Sequence, residues 1–301
     1  MKVEFGYYPR PLSLSVGGIE IRTLPNLEDS LALIGDEGVD ADWIYAPPQE
    51  VHHSDGGCHY IRTKPYASRI FSLPKTHELR CADADSSDHI AFLLWALSLF
   101  KGMRLTAIDP GFVDATPIRP GMLNDFALRD SSLIKAIELA DKYWKAHQSA
   151  PEKVKLFGAA VHALFLSRAP QLLQFESFNF VYFALDCCFA LIRSPLQLTG
   201  RIPHRERIMR MCEHFGMPIP EWACIVNRET RITNLRNNAI HEALFNDQPL
   251  GFSVYGAGTS ENITLEMQAL TCRLLVAILG AKENKYFHTP VNTGLRYFLT
   301  L

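Results

Sequence analysis

A short segment in the last quarter of the chain places an arginine, an asparagine and a histidine close together. Asn237 follows Arg236 directly, and His241 stands five positions after the arginine. A guanidinium group stabilises charge on phosphate oxygens, and an imidazole takes or gives a proton near neutral pH. RNA supplies its own nucleophile, the 2′-hydroxyl, so cleavage by these groups needs no obligatory metal ion. These residue types suit chemistry at an RNA phosphodiester, with Asn237 holding the phosphate or orienting the imidazole. The spacing by itself is a weak signal, because an exposed arginine with a histidine near a helix end is the common alternative.

Helical geometry limits how these three side chains can meet. At about 100° per residue, Asn237 and His241 lie one turn apart on the same face, whereas Arg236 lies about 140° around the helix from His241. The adjacent asparagines Asn237 and Asn238 are poor helix formers that could loosen the turn. Alternatively, a second copy of the chain completes the site. The spacing alone does not build a site, and both ways of bringing the groups together remain open.

A polar stripe runs along an otherwise apolar helix that is predicted over 171–192. Its members recur at steps of three, three, four and seven, which places them on one helix face: Glu176, Asn179, Tyr182, Asp186 and Arg193. Polar groups on a buried helix must face partners or water. Two interpretations remain open. Either the stripe lines the same cleft as Arg236 and His241, with Asp186 orienting one of them and Asn179 in support, or it is an ordinary network between helices.

Charge is distributed unevenly along a chain whose formal net charge is only −2. Residues 1–60 hold ten acidic and three basic side chains, whereas residues 190–240 hold eight arginines, four glutamates and no lysine. Arginine binds phosphates bidentately, so this patch favours RNA contact, with Arg205 and Arg231 as RNA-binding candidates. A solvated helix face with internal ion pairs explains part of the patch equally well. The low net charge excludes a protein that coats nucleic acid non-specifically.

Near residue 125 the sequence changes from short segments bounded by turn residues to long segments with helical periodicity. This change predicts two domains, 1–125 and 126–301. The first has short segments bounded by Gly, Pro and Asp, as strands are, at 12–16, 19–23, 59–63 and 69–73. One helix is predicted there over 89–100, capped by the serines before it and stopped by Gly102. The second part predicts helices at 133–147, 151–166, 171–192, 205–215, 221–243 and 263–279. The predicted fold class is α+β, with a β-rich N-terminal domain followed by an all-α helical bundle.

The segment ITNLRNNAIHEALF, residues 232–245, resembles the active-site motif of the HEPN superfamily of ribonucleases. Arg236, Asn237 and His241 match its order, and the motif falls late in the third of four predicted long helices. The earlier helix FESFNFVYFALDCCFALI also resembles the second helix of these domains, with Asp186 at their acidic position. The resemblance covers roughly 130–301. More loosely, the whole chain looks like the ApeA-type proteins of bacterial antiviral systems, in which a β-rich region precedes a HEPN domain.

This resemblance implies a metal-independent endoribonuclease whose products end in a 2′,3′-cyclic phosphate and a 5′-hydroxyl. Arg236, Asn237 and His241 would be its catalytic residues and RNA its substrate. HEPN domains typically dimerise with their motifs facing each other across a cleft, so the resemblance predicts a homodimer that brings Arg236 and His241 together. Such an enzyme would serve bacterial antiviral defence or a toxin-type system, with a regulatory partner or ligand at the N-terminal domain. Some HEPN domains are instead non-catalytic modules for dimerisation or for binding nucleotide or RNA.

The remaining features predict no cofactor, metal or membrane span. The seven cysteines are scattered and mostly set in apolar stretches, as buried thiols are. A histidine-rich segment over 52–59, which includes Cys58, lacks a second cluster at zinc-site spacing. The N-terminus lacks a secretory pattern, and the longest apolar run, 90–97, is far shorter than a membrane span. We expect a soluble, cytoplasmic protein.

Overall fold

Two compact units make up the fold, which is that of a computed structural model. The first comprises residues 1–123 with 133–141, and the second comprises 124–132 with 142–301. The structure describes residues 1–45, 49–52, 59–62, 73–107, 118–169, 172–197, 200–237, 262–281 and 284–301. Helices and strands both contribute, so the chain belongs to the α+β class, as predicted. The segment 133–141 belongs to the first unit, whereas the predicted boundary at residue 125 assigns it to the second.

Short strands build much of the first unit. In chain order they are β1 Lys2–Gly6, β2 Leu14–Val16, β3 Ile19–Thr23, β4 Val39–Asp40, β5 Trp43–Ile44, β6 Gln49–His52, β7 His59–Arg62 and β8 Lys75–Cys81. β1, β8, β3 and β2 form one antiparallel sheet in that order, and β4–β5 and β6–β7 are separate pairs. The buried Ile19 and Ile21 stand opposite Cys81 and Leu79, which fixes the register. The strand predicted at 19–23 is confirmed with the same bounds, and the one at 12–16 is shorter, at 14–16. The strand predicted at 59–63 is confirmed over its described residues, 59–62, whereas 69–72 lies outside the described residues.

The first unit also contains a helix that the sequence pattern did not predict, α1 Leu27–Gly38. Its first turn carries Glu28 and Asp29, which favour the helix through its dipole. Two glycines, Gly35 and Gly38, lower its helix propensity. The prediction of a single helix before residue 125 is therefore wrong, because these glycines resemble the turn signals that bound the strands.

The helix predicted over 89–100 is confirmed as α2 Ser87–Lys101. At its start, the Ser86 hydroxyl accepts a hydrogen bond from the His89 backbone N–H at 3.3 Å. At its end, Gly102 adopts a left-handed conformation with φ of 60°, which glycine takes without strain. Local chain signals therefore set both ends of this helix.

The second unit is mainly helical, with one parallel strand pair, β9 Phe126–Leu128 and β10 Tyr297–Leu299. Its helices are α3 Asp130–Ala146, α4 Pro151–Ser167, α5 Gln174–Ile192, α6 His204–Phe215, α7 Arg231–Asn237 and α8 Ile263–Ile278. The middle of α3 belongs to the first unit. α5 packs on α4, α6 and α8, and their shared core includes Phe157, Val161, Val181, Leu185 and Leu274. Predicted and observed ends agree within three residues for α3, α4, α5, α6 and α8.

The helix predicted over 221–243 is not continuous in its described part. A single 3-10 turn spans Glu221–Ala223, and α7 begins only at Arg231. Between them, Asn227 and Arg228 adopt left-handed backbone conformations, with φ of 51° and 70°. An α-helix of L-residues cannot continue through two such positions. The described part of the segment 232–245 therefore lies on a short helix that follows a tight turn.

Among the described helices, α5 alone is long and apolar enough to cross a membrane, with a mean hydropathy of 1.5 over Phe175–Ile192. Half of that window is buried inside the protein. Its polar side chains Glu176, Tyr182 and Asp186 each have a hydrogen-bond partner in the second unit. Because a core helix combines burial with paired polar groups, we assign α5 to the core of the second unit.

The described cysteines are free thiols in different environments. Cys81, Cys188, Cys212 and Cys272 are buried, as predicted, whereas Cys187 is half-buried and Cys224 is exposed. Burial raises the pKa of both Cys212 and Cys272 to about 12. A thiol with such a pKa stays protonated at neutral pH and reacts slowly. The prediction of buried thiols is wrong for Cys224, which follows the 3-10 turn at the surface.

Candidate functional site

The polar stripe of α5 contains helix-end contacts and a central group. At the start, the Glu176 carboxylate accepts a hydrogen bond from the Leu173 backbone N–H at 2.8 Å, which caps the helix. Just past the end, Arg193 Nη2 donates to the Gly200 carbonyl at 2.5 Å. Both contacts serve the helix and its following loop. The middle of the stripe is different, because it meets side chains from α6 and α7.

α6 places a histidine and an arginine beside this central group. His204 is its first residue and Arg207 follows one turn later, so both lie on one face of the helix. The Tyr182 hydroxyl and His204 Nδ1 are hydrogen-bonded at 2.9 Å. Arg207 Nη1 donates to Asp186 Oδ1 at 2.8 Å, and His204 Nδ1 lies 3.8 Å from the same oxygen. One carboxylate is thus flanked by a histidine and an arginine.

α7 brings Arg236 to the same region of α5. Its guanidinium lies over the Tyr182 ring, 5.7 Å from the centroid, and Nη1 donates to the Asn237 side-chain oxygen at 3.1 Å. Arg207 stacks similarly on Phe189, 5.2 Å from the centroid. Stacking orients a guanidinium, and its planar fork then suits a phosphate. We define the Tyr182 cluster as Tyr182, Asp186, His204, Arg207 and Arg236.

Burial and neighbouring charges set the protonation states in the Tyr182 cluster. Burial raises the pKa of Tyr182, and the Asp186 carboxylate raises it further, so the phenol stays protonated. Burial also lowers the pKa of His204; Asp186 opposes this effect, while three nearby arginines lower the pKa further. Because an ordinary histidine has a pKa of about 6.5, His204 is neutral at pH 7. Two guanidinium groups against one carboxylate leave positive charge for an anion.

The structure brings several predicted site residues together. Arg236, Asn237 and Asp186 all lie at the Tyr182 cluster, the first through its ring contact and the others through hydrogen bonds to the arginines. Asn179 is half-buried, one turn earlier on α5 than Tyr182, and its Oδ1 atom makes no hydrogen bond to the described residues. His241 lies outside the described residues, so its place beside Arg236 stays a prediction.

The two arginines predicted to bind RNA lie outside the cluster. Arg205 is exposed beside His204 on α6. Arg231 is exposed at the first residue of α7, where it lines a groove of about 930 Å³ together with Asn234 and Glu266. Exposed arginines are the side chains that commonly contact a nucleic-acid backbone. Their RNA-binding role stays a prediction.

Sequence reasoning missed two members of the cluster, His204 and Arg207. The sequence favours a surface histidine at a helix start for His204, with RNA contact as the alternative. The helix start is confirmed, whereas the side chain is half-buried and hydrogen-bonded to Tyr182. A signal was present: Pro203 marks the start of α6, and a spacing of three residues puts both side chains on one face. The sequence alone does not reveal that this face of α6 contacts the polar stripe of α5.

Comparison with known proteins assigns the chain to no family. No protein-family model, curated protein or solved structure matches the chain. The resemblance to HEPN ribonucleases therefore rests on the sequence motif alone.

Proposed function

We propose that the protein is a metal-independent endoribonuclease of the HEPN superfamily, with its active site at the Tyr182 cluster. The observation that carries the proposal is the position of Arg236. The arginine of the Arg-Asn-His motif packs on Tyr182, whose hydroxyl is hydrogen-bonded to His204. One turn further along α5, Asp186 accepts a hydrogen bond from Arg207 of α6. A neutral imidazole beside two guanidinium groups is a set of side chains that cleavage by a 2′-hydroxyl can use.

In the proposed reaction, the 2′-hydroxyl of RNA attacks the adjacent phosphorus. The bond from the 2′-oxygen to phosphorus forms and the bond to the 5′-oxygen breaks, which leaves a 2′,3′-cyclic phosphate and a 5′-hydroxyl. One base takes the 2′-hydroxyl proton, and one acid donates a proton to the 5′-oxygen. His204 and His241 are the groups proposed for these roles, and the lowered pKa of His204 suits the base. Arg207 and Arg236 stabilise charge on the phosphoryl oxygens.

The remaining predicted residues have supporting roles in this proposal. Asn237 holds the Arg236 guanidinium or the phosphate, and Asp186 orients Arg207 beside the imidazole. Asn179 lies on the same polar face of α5, one turn before Tyr182, and supports the cluster from there. Arg205 and Arg231 contact phosphates on either side of the cleaved bond. Because these contacts release counterions, RNA affinity falls steeply as salt rises.

The proposal also covers the assembly and its biological setting. Two copies pair through the second unit, so that the two motifs face each other across a cleft. The first unit senses a regulatory partner or ligand and restrains cleavage until that signal arrives. An enzyme that cuts cellular RNA on such a signal suits bacterial antiviral defence or a toxin-type system. These assignments follow the HEPN resemblance and depend on the nuclease activity.

Cleavage of a mixed-sequence single-stranded RNA, with and without EDTA, tests the proposed activity. We expect the wild type to cut in EDTA and to leave cyclic-phosphate ends. Arg236→Ala, His241→Ala and His204→Gln should each lower the rate at least about 100-fold, since each removes a charge-stabilising or proton-transferring group. Lys155→Ala is the matched control, because it removes one positive charge from an exposed position on α4. It should cut at the wild-type rate.

Circular dichroism first establishes that each variant is folded. The active-site assignment fails if the folded Arg236→Ala and His204→Gln variants cut as fast as the wild type. A nuclease held silent until activation still arrests growth when overexpressed, and Arg236→Ala should relieve that arrest. If the wild type neither cuts RNA nor arrests growth, the nuclease proposal is wrong.

A second candidate function is a non-catalytic HEPN module for dimerisation or for binding nucleotide or RNA. The observation that favours it is that the polar groups already satisfy one another. Asp186 pairs with Arg207, and Tyr182 pairs with His204. A network of this kind also rigidifies an interface between helices. RNA binding without cleavage, together with a lower melting temperature in Arg207→Ala, would support this second function.

A further inference from the structure

A second group of polar side chains lies buried in the first unit. It consists of Cys81 at the end of β8, His89 in the first turn of α2 and Asp141 on α3. Their ligating atoms, one sulfur, one nitrogen and one oxygen, all lie within 4.8 Å of one another. His89 Nε2 is 3.0 Å from Asp141 Oδ1. Three different ligand types from three elements therefore converge in the core of this unit.

The distances are close to those of a tetrahedral zinc site. Zn²⁺ binds sulfur at about 2.3 Å and imidazole nitrogen or carboxylate oxygen at about 2.0–2.2 Å. Ligand atoms at those distances from one ion lie about 3.3–3.7 Å apart. The separation of His89 from Asp141 is already near this range, and shifts of about 1 Å at the side-chain tips bring the Cys81 sulfur into it.

A divalent cation would also balance the charge of this buried group. Asp141 and a Cys81 thiolate together carry two negative charges, and both residues are buried. Buried charge without a counter-charge is costly, so a thiol in such a place normally keeps its proton. A bound cation reverses this preference and deprotonates a coordinating thiol. One divalent ion with the neutral His89 imidazole therefore gives a site of zero net charge.

The surroundings of His89 also suit a metal-bound histidine. Its Nδ1 atom lies 3.6 Å from Asp85 Oδ1. The Ser86 hydroxyl donates to that same Asp85 oxygen at 3.0 Å and accepts from the His89 backbone N–H, so the cap of α2 holds the carboxylate near the ring. Metal-bound histidines commonly direct their other ring nitrogen to a carboxylate, which fixes the ring. The Asp85 side chain is 41% exposed, which gives the group a route to solvent.

We propose that Cys81, His89 and Asp141 bind one zinc-class divalent cation in the first unit. Mixed sulfur, nitrogen and oxygen ligands favour Zn²⁺ over Mg²⁺ and Ca²⁺, which prefer oxygen alone. The ligands come from a strand and two helices, so the ion clamps β8 to α2 and α3. Water completes the fourth position. The site is separate from the Tyr182 cluster, and neither proposal depends on the other.

Cobalt substitution in the full-length protein tests this site. Apoprotein stripped with a chelator is titrated with Co²⁺, because a thiolate-to-cobalt charge-transfer absorption reports a cysteine ligand directly. We expect one equivalent of Co²⁺ with that absorption, displacement by Zn²⁺ and a higher melting temperature with Zn²⁺. Cys81→Ser should abolish the absorption. Asp85→Asn should keep it but weaken Co²⁺ affinity about 10- to 100-fold.

Two other cysteine variants serve as controls. Cys187→Ser alters a half-buried thiol of the second unit and should keep the absorption. Cys58→Ser separates this site from the histidine-rich segment. The proposal is overturned if the wild type binds no Co²⁺, if the absorption survives Cys81→Ser or if Cys58→Ser abolishes it. Should Cys81→Ser not fold, Asp141→Asn decides, because it must weaken binding more than about tenfold.

Each of those contrary results leaves an ordinary hydrogen bond between His89 and Asp141 with a buried thiol beside it. The nuclease and metal proposals remain distinguishable, because Arg236→Ala should bind Co²⁺ as the wild type does. If Arg236→Ala loses RNA cleavage but still binds Co²⁺, the result concerns the Tyr182 cluster alone. Metal binding absent from a wild type that cuts RNA overturns the zinc site alone.

Discussion

At the scale of single residues, the pKa of His204 is set by burial and by two neighbours whose charges oppose each other, Asp186 and Arg207. Burial lowers its pKa, Asp186 raises it and Arg207 lowers it. We therefore predict that Asp186→Asn lowers the pKa of His204 further and that Arg207→Gln raises it. An NMR titration of protein with labelled histidine measures both shifts. Two variants that shift the pKa in the same direction would show that Asp186 and Arg207 do not act on His204 as placed.

A second histidine, the buried His77 on β8, leads us to predict that acid lowers the free energy of unfolding of the first unit. Its side chain is fully buried and hydrogen-bonded to Thr76 Oγ1 at 2.9 Å. Burial lowers its pKa to about 4, with Lys101 acting in the same direction and a backbone hydrogen bond at Arg10 opposing it. Between pH 6.5 and 4, the unfolded chain takes up a proton that the folded chain does not. The free energy of unfolding therefore falls as the pH drops through this window, by up to about 3 kcal/mol.

Urea unfolding at several pH values checks this prediction. His77→Gln removes the titrating group, so its free energy of unfolding should change less between pH 6.5 and 4 than that of the wild type. His214→Gln changes an exposed histidine on α6 and should keep the wild-type dependence. An identical pH dependence in the wild type and His77→Gln would mean that other groups cause the acid sensitivity.

The sequence predicts only part of the candidate site, because local patterns do not show which helices pack together. Arg236 and Asn237 stand in one motif, and Asp186 follows from the period of one helix. His204 and Arg207 have a detectable common face, but periodicity within a helix does not identify the helix that this face contacts. That pairing depends on how α5 and α6 pack, which involves residues distant in the chain.

At the scale of elements, local signals predicted helix ends well. Ser86 caps α2, Pro151 opens α4, and the Asn262 side chain accepts from the Leu265 backbone N–H at the start of α8. Other boundaries depend on backbone conformations that many sequences could adopt. The left-handed pair at 227–228 interrupts a predicted helix, although neither residue is a glycine. Such a turn requires support from the surrounding fold, which a local pattern does not contain.

The end of the second unit depends on a buried ion pair between two elements. Arg273 on α8 is 1% exposed and donates to Asp125, just before β9, at 2.5 Å and to the Ala269 carbonyl at 2.7 Å. The Tyr286 hydroxyl also donates to Asp125. Removal of the carboxylate leaves a buried guanidinium without its counter-charge. We therefore predict that Asp125→Ala lowers the free energy of unfolding by about 3–5 kcal/mol.

Chemical denaturation of matched variants separates charge from packing in this prediction. Asp125→Asn combined with Arg273→Met removes both charges and keeps an acceptor for Tyr286, so it should cost less than Asp125→Ala. Lys135→Ala breaks an exposed pair with Glu138 and should cost about 0.5 kcal/mol or less. If the double variant is as unstable as Asp125→Ala, lost packing rather than an unpaired charge is responsible.

At the scale of the whole molecule, the proposed dimer has a specific consequence for the active site. Arg236 belongs to the Tyr182 cluster of its own chain. Ideal helical geometry nevertheless places Arg236 about 140° around from His241, so one chain does not simply bring both to one phosphate. A two-fold axis solves this problem, because each site then takes Arg236 from one copy and His241 from the other. The proposed dimer is therefore part of the chemistry as well as of the assembly.

Mixed dimers of two inactive variants test this arrangement. Arg236→Ala and His241→Ala are co-expressed with different tags, and the mixed dimers are purified through both tags. If each site is shared, a mixed dimer has one site with both mutations and one with neither, and it should recover about half of the wild-type activity. If each chain builds its own site, every site carries one mutation and activity stays at the level of the single variants. Sedimentation measures the dimer independently, so a monomeric wild type that still cuts RNA would rule out the shared site but keep the nuclease.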